Sequence, residues 1–366
     1  MSSKRWLVVL LSFAAAMGVS LYVVFTSWPH QHAPAALPLL AHAVLLGVAL
    51  LELSARAWKL KLSAHALRVP LGFNSAVRAS VGGDFAAAIT PARSGAEPAR
   101  FLILSEAGMP RADVLLVVFA ELFLEMLSLA LVATVLSIIF KGSGVVLGGI
   151  IGLVGGYATF VIGIGAIGVI LSRRNTSGPP PRWARRLRLN AARWRAIQRA
   201  LRQLKAGIAG LKHVRIQFAV LALLSSTLHI LLRLSILPII VLAYSIYAYG
   251  IAKLTVPLAP LVLWPLALFY GGVVAPVPAG GGFIEVAFKA TLGGSIPGQF
   301  LSGSLIWWRF YTFYLFLILG AIAAGNTVMR AVRGGDDERE APDELLEPAV
   351  GGAAATVPTP KARGQR

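Results

Sequence analysis

The chain has no cysteine, which excludes disulfide and thiol chemistry and leaves no redox signal in its composition. Acidic side chains are scarce. Residues 1–330 hold 8 Asp/Glu against 29 Lys/Arg, and only Asp84 and Asp113 are aspartates. An Asp-rich metal–diphosphate motif is therefore excluded. The six histidines, at 30, 32, 42, 65, 213 and 229, lack metal-ligand spacing, with His30 and His32 a weak pair at best. Gly280 to Gly282 is not followed by Lys-Ser/Thr, so it is no phosphate loop, and no Ser-centred elbow is present. No cofactor or metal is expected.

Apolar residues make up 57% of the 366, more than a soluble domain can hide, so the chain is read as an integral membrane protein. The formal charge of +19 is uneven. Residues 331–366 carry 5 Lys/Arg against 7 Asp/Glu in a Gly/Ala/Pro-rich context and read as a disordered acidic tail, leaving 1–330 as one membrane domain. The basic excess is matched to anionic lipid headgroups rather than to nucleic acid. Residues 7–26 follow Lys4 and Arg5 as a signal peptide would. Their length and Trp28 at the end favour a retained helix.

Runs long enough to span are 6–28, 37–57, 112–140, 144–171, 216–244, 255–275 and 300–327. The shorter run 281–297 is either an eighth crossing or half of a re-entrant hairpin. Arg56, Lys59, Lys61, Arg68 and Arg78 follow the second run, and the linker 173–215 holds 13 Lys/Arg and no acid. The positive-inside rule then places both termini and this linker in the cytoplasm, which about eight crossings satisfy and seven do not. Within the linker, Trp183, Leu187, Ala191, Trp194, Ile197, Leu201 and Leu204 recur at helical spacing opposite arginines, predicting a basic amphipathic helix on the membrane surface. The expected architecture is an all-α polytopic membrane bundle. Oligomeric state is not legible.

Two Gly/Pro-broken segments interrupt these runs: Thr90 to Arg100 (TPARSGAEPAR) and Ala275 to Glu285 (APVPAGGGFIE). Irregular backbone at membrane depth survives only where protein or a wet cavity satisfies it, and paired interruptions point to a transport site. Residues 81–107 read as a hairpin dipping in from the cytoplasm, a capped surface loop being the alternative. Ser94 and Glu97 have capping-box spacing, and Arg93 and Arg100 would make that corner attract anions. If both segments line one cleft, Arg93 or Glu97 lies near Gly280–Glu285.

Ionisable residues inside spans face the bundle interior and pair. Glu121 and Glu125 share one helix face, as do His229 and Arg233, and Arg309 lies deep in the last run. Each is read as either a substrate contact or a structural ion pair. Glu52 and Arg56 read as a snorkelling pair at a helix end.

The string PARSGAEPARFLILSEAGMPRADVLLVVFAE, then YGGVVAPVPAGGGFIEVAFKATLGG and a helix with Trp308-Arg309, resembles the flippase-like, lysylphosphatidylglycerol synthase transmembrane-region family. The matching positions are Pro91, Gly95, Glu97, Arg100, Glu121, Pro278, Gly281, Gly282, Glu285 and Arg309, with Ala279 where many relatives have Gly. The resemblance covers about residues 1–330 and implies movement of a lipid between leaflets. The lipid would be a phospholipid, polyprenyl-phosphate-linked or hopanoid-related lipid with an anionic or zwitterionic headgroup. The aminoacyl-transfer domain of the synthase members has no counterpart in the sequence, so lysine transfer is not expected. The expected site comprises Arg93, Gly95, Glu97, Arg100, Glu121, Glu125, Gly281, Gly282, Glu285 and Arg309. Alternative readings are a membrane-embedded lipid-modifying enzyme with a Glu base, and an assembly partner in envelope lipid synthesis.

Overall fold

The computed structural model describes residues 36–90, 93–140, 214–250, 256–271 and 282–340, with isolated positions between 18 and 26 and between 148 and 198. Among the described residues the regular elements are all helical, as the apolar runs predict. In chain order they are α1 (Leu39–Ala66), α2 (Phe73–Ile89), α3 (Ala96–Glu106), α4 (Arg111–Ile139), α5 (Ile216–Tyr249), α6 (Leu258–Gly271), α7 (Phe283–Leu292) and α8 (Gly298–Arg309). A π-helical turn, Phe310–Tyr314, joins α8 without a break to α9 (Leu315–Glu340).

Four helices among the described residues are long and apolar enough to cross a membrane: Leu39–Ala66, Asp113–Ile139, Ile216–Tyr249 and Gly298–Thr327. This corrects the expectation of about eight. The expected spans 6–28 and 144–171 lie outside the described residues. Two other runs are only partly described: among the described residues 255–275 hold the 14 residues of α6 and 281–297 the 10 of α7. At 1.5 Å per residue these reach about 21 and 15 Å, short of a hydrocarbon core of about 30 Å. Glycine and proline set the limits of α7: Gly282 caps it at φ 77°, a conformation costly for other residues, and Gly293 and Pro297 follow its end.

In the opposite direction, α1 runs past the end of its apolar run at residue 57 and continues to Ala66. Arg56 and Lys59 are thereby buried within the protein, so they leave the set of loop charges used for orientation. Lys61, Arg68 and Arg78 remain in it. The π turn also departs from expectation, being a local widening inside what reads as one regular span.

Apolar packing falls into cores on either side of a polar layer. Leu45, Ala49 and Leu53 of α1 join α5, α7, α8 and Phe316 in one core, whereas Ala57, Leu60 and Ala64 join α2, α3 and the start of α4 in a second. A third core sets Leu129, Val132 and Leu136 of α4 against Ile230 and Leu234 of α5 and Leu263 and Leu266 of α6. Small residues let α2 and α9 approach closely. A side chain at Gly320 would collide with the Val81 carbonyl, and one at Gly82 would strike Ile103 and Ala324.

The segment 73–106 holds two helices, α2 and α3, with a turn at 93–95 before the second. Ser94 does not cap α3, whose N-cap is Gly95 with no side-chain hydrogen bond. Thr90 organises the turn instead, its Oγ1 donating to the Ala86 carbonyl and accepting from the Gly95 N–H at 2.8 Å. Gly95 lies so near Thr90 and the Ala86 carbonyl that a Cβ has no room. α9 continues to Glu340, into the stretch expected to be disordered, and residues 341–366 lie outside the described ones. So does most of the linker, although Trp194 is described and buried.

Candidate functional site

Charged side chains meet in a layer between the cores. Glu52, Arg56, Lys59 and Ser63 follow each other at three- and four-residue steps on one face of α1, and all four are buried. Glu52 and Arg56 are therefore no interfacial pair. Burial of a charge is costly unless it is paired, and an opposite charge on a neighbouring helix meets each of the three ionisable residues, although both Glu52 carboxylate oxygens lack a hydrogen bond.

Arg56 contacts Glu52 at 3.1 Å and donates through Nη1 to Asp84 Oδ2 on α2, with its guanidinium over the Phe316 ring. Lys59, 1% exposed, reaches Glu121 Oε1 at 2.9 Å and Glu125 Oε2 at 2.7 Å, bridging two carboxylates one turn apart on α4. Arg100 on α3 holds both Glu121 and Glu97 at 3.3 Å. Gly83 makes room for it, since a Cβ there would lie 2.8 Å from Arg100 Nε. On α5, Arg233 lies 4.0 Å from Glu52, stacks over Phe269 and donates to the Thr312 carbonyl at 3.0 Å. That carbonyl belongs to the π turn, where the widened helix lets backbone polar groups find outside partners.

Five cations (Arg56, Lys59, Arg93, Arg100 and Arg233) thus face five carboxylates (Glu52, Asp84, Glu97, Glu121 and Glu125), so the formal charges of the layer cancel. The cations are not equally committed. Arg93, at φ 56° in the hairpin turn and 37% exposed, meets Asp84 at 3.8 Å. Arg93 and Arg233, with Asp84, Thr312, Phe313 and Phe316, line a small open cleft of about 10 Å³, room for about one water molecule.

A separate ion pair lies beyond it. Arg309 Nε approaches Glu285 Oε1 at 2.8 Å, off the hydrogen-bond direction, and its guanidinium sits over the Phe313 and Tyr314 rings. Both residues are buried. Phe313, which also lines the cleft, therefore stands between the cleft and this pair.

Of the residues singled out from sequence, Arg93, Glu97, Arg100, Glu121 and Glu125 meet in the layer. Glu285 and Arg309 pair with each other, and the described ion pairs join neither to Arg93 or Glu97. Gly95 and Gly282 act through backbone geometry, and Gly281 lies outside the described residues. Glu52, Arg56, Lys59 and Asp84 were missed as site residues. The signal for the first three was the charge spacing along 52–63, obscured because the apolar run ends there in the sequence.

Among the described residues no group of histidines and carboxylates is arranged to hold a metal ion. The model of the family described as lysylphosphatidylglycerol synthase TM region matches residues 5–320, and it covers that membrane region rather than an aminoacyl-transfer domain. No curated protein and no solved structure matches the chain.

Proposed function

The chain belongs to the lysylphosphatidylglycerol synthase TM-region family, a flippase-like membrane domain, and on that premise we propose that it carries an anionic or zwitterionic lipid headgroup through the cleft between Arg93 and Arg233. The family supports a lipid-flippase type of function in a multi-pass bacterial inner-membrane protein. The cleft supplies the chemistry. A phosphate oxygen is attracted most by cations that are near it and least satisfied, and Arg93 and Arg233 are the layer's loosely paired cations beside an opening. The arginines already held at short range by carboxylates would be freed only at the cost of an uncompensated buried acid.

In this mechanism the headgroup leaves the interface and exchanges water for the two guanidinium groups, displacing Arg93 from Asp84. The acyl chains stay in lipid along the exposed apolar faces of the bundle. Glu97, Arg100, Glu121 and Glu125 hold the far side of the layer, and Glu285–Arg309 fixes α7 to α8 beside Phe313. We read the α2–α3 hairpin as re-entrant, because α3 is only 11 residues long and the turn carries charge. The loop charge asymmetry favours both termini on the cytoplasmic side.

The test is transbilayer movement of acyl-labelled phospholipid in proteoliposomes. Arg93→Gln and Arg233→Gln, each inserted and folded at normal yield, should slow movement at least about tenfold, as expected for losing roughly 1.4 kcal/mol or more of charge-assisted hydrogen bonding. Wild-type rates in both variants would remove the cleft from the pathway.

A further inference from the structure

We propose that movement of an anionic lipid is coupled to a single proton carried by His229, so that headgroup and proton cross together. This rests on the transport reading above and supplies its energy source. His229, on α5, is 2% exposed, and its Nδ1 is buried without a hydrogen-bond partner. The charges within electrostatic reach come from each side of it: Arg56 and Lys59 on α1, Glu125 on α4 and Arg233 on its own helix. From α6, the Tyr270 hydroxyl reaches Glu125 at 3.5 Å. Several atoms of the charged groups in the layer also lack hydrogen bonds, but those groups are formally charged already, so the neutral imidazole with an open ring nitrogen is the proton-acceptor position once an anion joins the three cations and one carboxylate around it.

The argument is one of charge balance. The formal charges of the layer cancel, five cations against five carboxylates. A phosphodiester monoanion entering between Arg93 and Arg233 leaves it with one excess negative charge, which a low-dielectric interior penalises. One proton on His229 restores neutrality. The proton is taken from water on the side where the headgroup enters, forms an N–H bond at the open ring nitrogen, and returns to water on the side where the headgroup leaves. No bond of the lipid is made or broken.

Two properties follow. The loaded layer carries no net charge, so transport responds to a pH difference and not to an electrical potential. The lipid also accumulates in the leaflet facing the more alkaline compartment, which is the cytoplasmic leaflet when the exterior is more acidic. A headgroup without net charge needs no proton.

The experiment uses the full chain in proteoliposomes with acyl-labelled phosphatidylglycerol or phosphatidylcholine, the outer-leaflet fraction read by chemical quenching and internal pH by a trapped dye. With one coupled proton, a one-unit pH difference should shift the phosphatidylglycerol leaflet ratio by about tenfold toward the alkaline side. A single proton should enter per lipid. Phosphatidylcholine should show no shift, and a valinomycin-set potassium potential should add none for either lipid. His229→Gln should lose both the shift and the proton uptake and move phosphatidylglycerol more slowly than wild type, while phosphatidylcholine movement stays at the wild-type rate.

The inference is overturned if wild-type protein equilibrates phosphatidylglycerol to the same ratio with and without the pH difference, a result that leaves transport itself standing. It is also overturned if folded His229→Gln keeps the shift, or if the potassium potential moves the lipid. Should His229→Gln fail to fold, the wild-type proton count and potential response decide. Movement of neither lipid by wild-type protein would remove the transport reading, and this inference with it.

Discussion

Replacing Lys59 by methionine is the most direct test of the ionic layer. Lys59 is fully enclosed and lies within 3 Å of two carboxylates on successive turns of α4. Methionine keeps most of the stem volume and removes the charge, so packing changes little while the layer gains one uncompensated negative charge. Breaking a buried pair from one side costs about 3–5 kcal/mol. An independent bound comes from chemistry, because the protein can escape by protonating Glu121 or Glu125. From an ordinary glutamate value near 4.3, that costs about 3.7 kcal/mol at pH 7 and only about 1 kcal/mol at pH 5. The two figures agree, and the second carries a sign. The variant's folded state binds a proton that its unfolded state releases above about pH 4.3, so the deficit must grow as pH rises. Lys59→Met should therefore lose about 500-fold in folding equilibrium at pH 7 and recover most of it at pH 5. The double variant Lys59→Met, Glu125→Gln should be near wild type at both. Denaturant titration of the protein in detergent micelles, read by tryptophan fluorescence, measures each value. An equal loss at the two pH values, unrelieved in the double variant, would refute the charge argument and leave packing as the cause.

Other outcomes follow from the packing and the second ion pair. Arg309→Gln should lower folded yield, because it strands the buried Glu285 carboxylate, and Arg309→Gln with Glu285→Gln should restore it. Recovery of yield without lipid movement would add the pair to the transport path, and recovery of both makes it structural. Gly320→Val should destabilise by about 1–3 kcal/mol, since the added side chain meets the Val81 backbone, which cannot retreat, whereas Gly325→Ala, with open space around it, should be near neutral. Thermal unfolding of the two variants in detergent compares them, and equal effects would contradict the close approach of α2 and α9.

Features carried by residue type and local spacing were legible in the chain. Glu121 and Glu125 read correctly as one face of one helix because four-residue spacing survives any packing. Arg309 read correctly as a buried charge that pairs, and its partner is Glu285. Features that depend on who answers a charge were not legible. The second apolar run was ended at residue 57 because Arg56, Lys59 and Lys61 lower its hydropathy. In the folded chain Asp84, Glu121 and Glu125 neutralise the first two, and the helix continues to Ala66. Asp84 attracted no attention because its partners lie 28 residues before it and across a turn after it. The capping box failed for a local reason: Thr90, rather than Ser94, already supplies the turn's hydroxyl. The π turn leaves no mark on an apolar aromatic run such as Phe310–Tyr314, since a single widened turn preserves composition and blurs periodicity.

A layer assembled from five separate helices is balanced only after those helices have met. During synthesis α1 emerges before the other four, bearing Glu52, Arg56 and Lys59, and its lysine has no acid until α4 arrives. α4 in turn brings Glu121 and Glu125. Lateral release of either helix alone into lipid would carry a charge whose cost at mid-bilayer is roughly 2.5–3.5 kcal/mol on insertion scales. The translocation machinery must therefore retain α1 beside the channel wall until α4 has been made. Biogenesis of this protein is cooperative across some sixty residues of nascent chain (Lys59 to Glu121), and the ion pairs that later frame the cleft act first as the signal that two helices are ready to leave together.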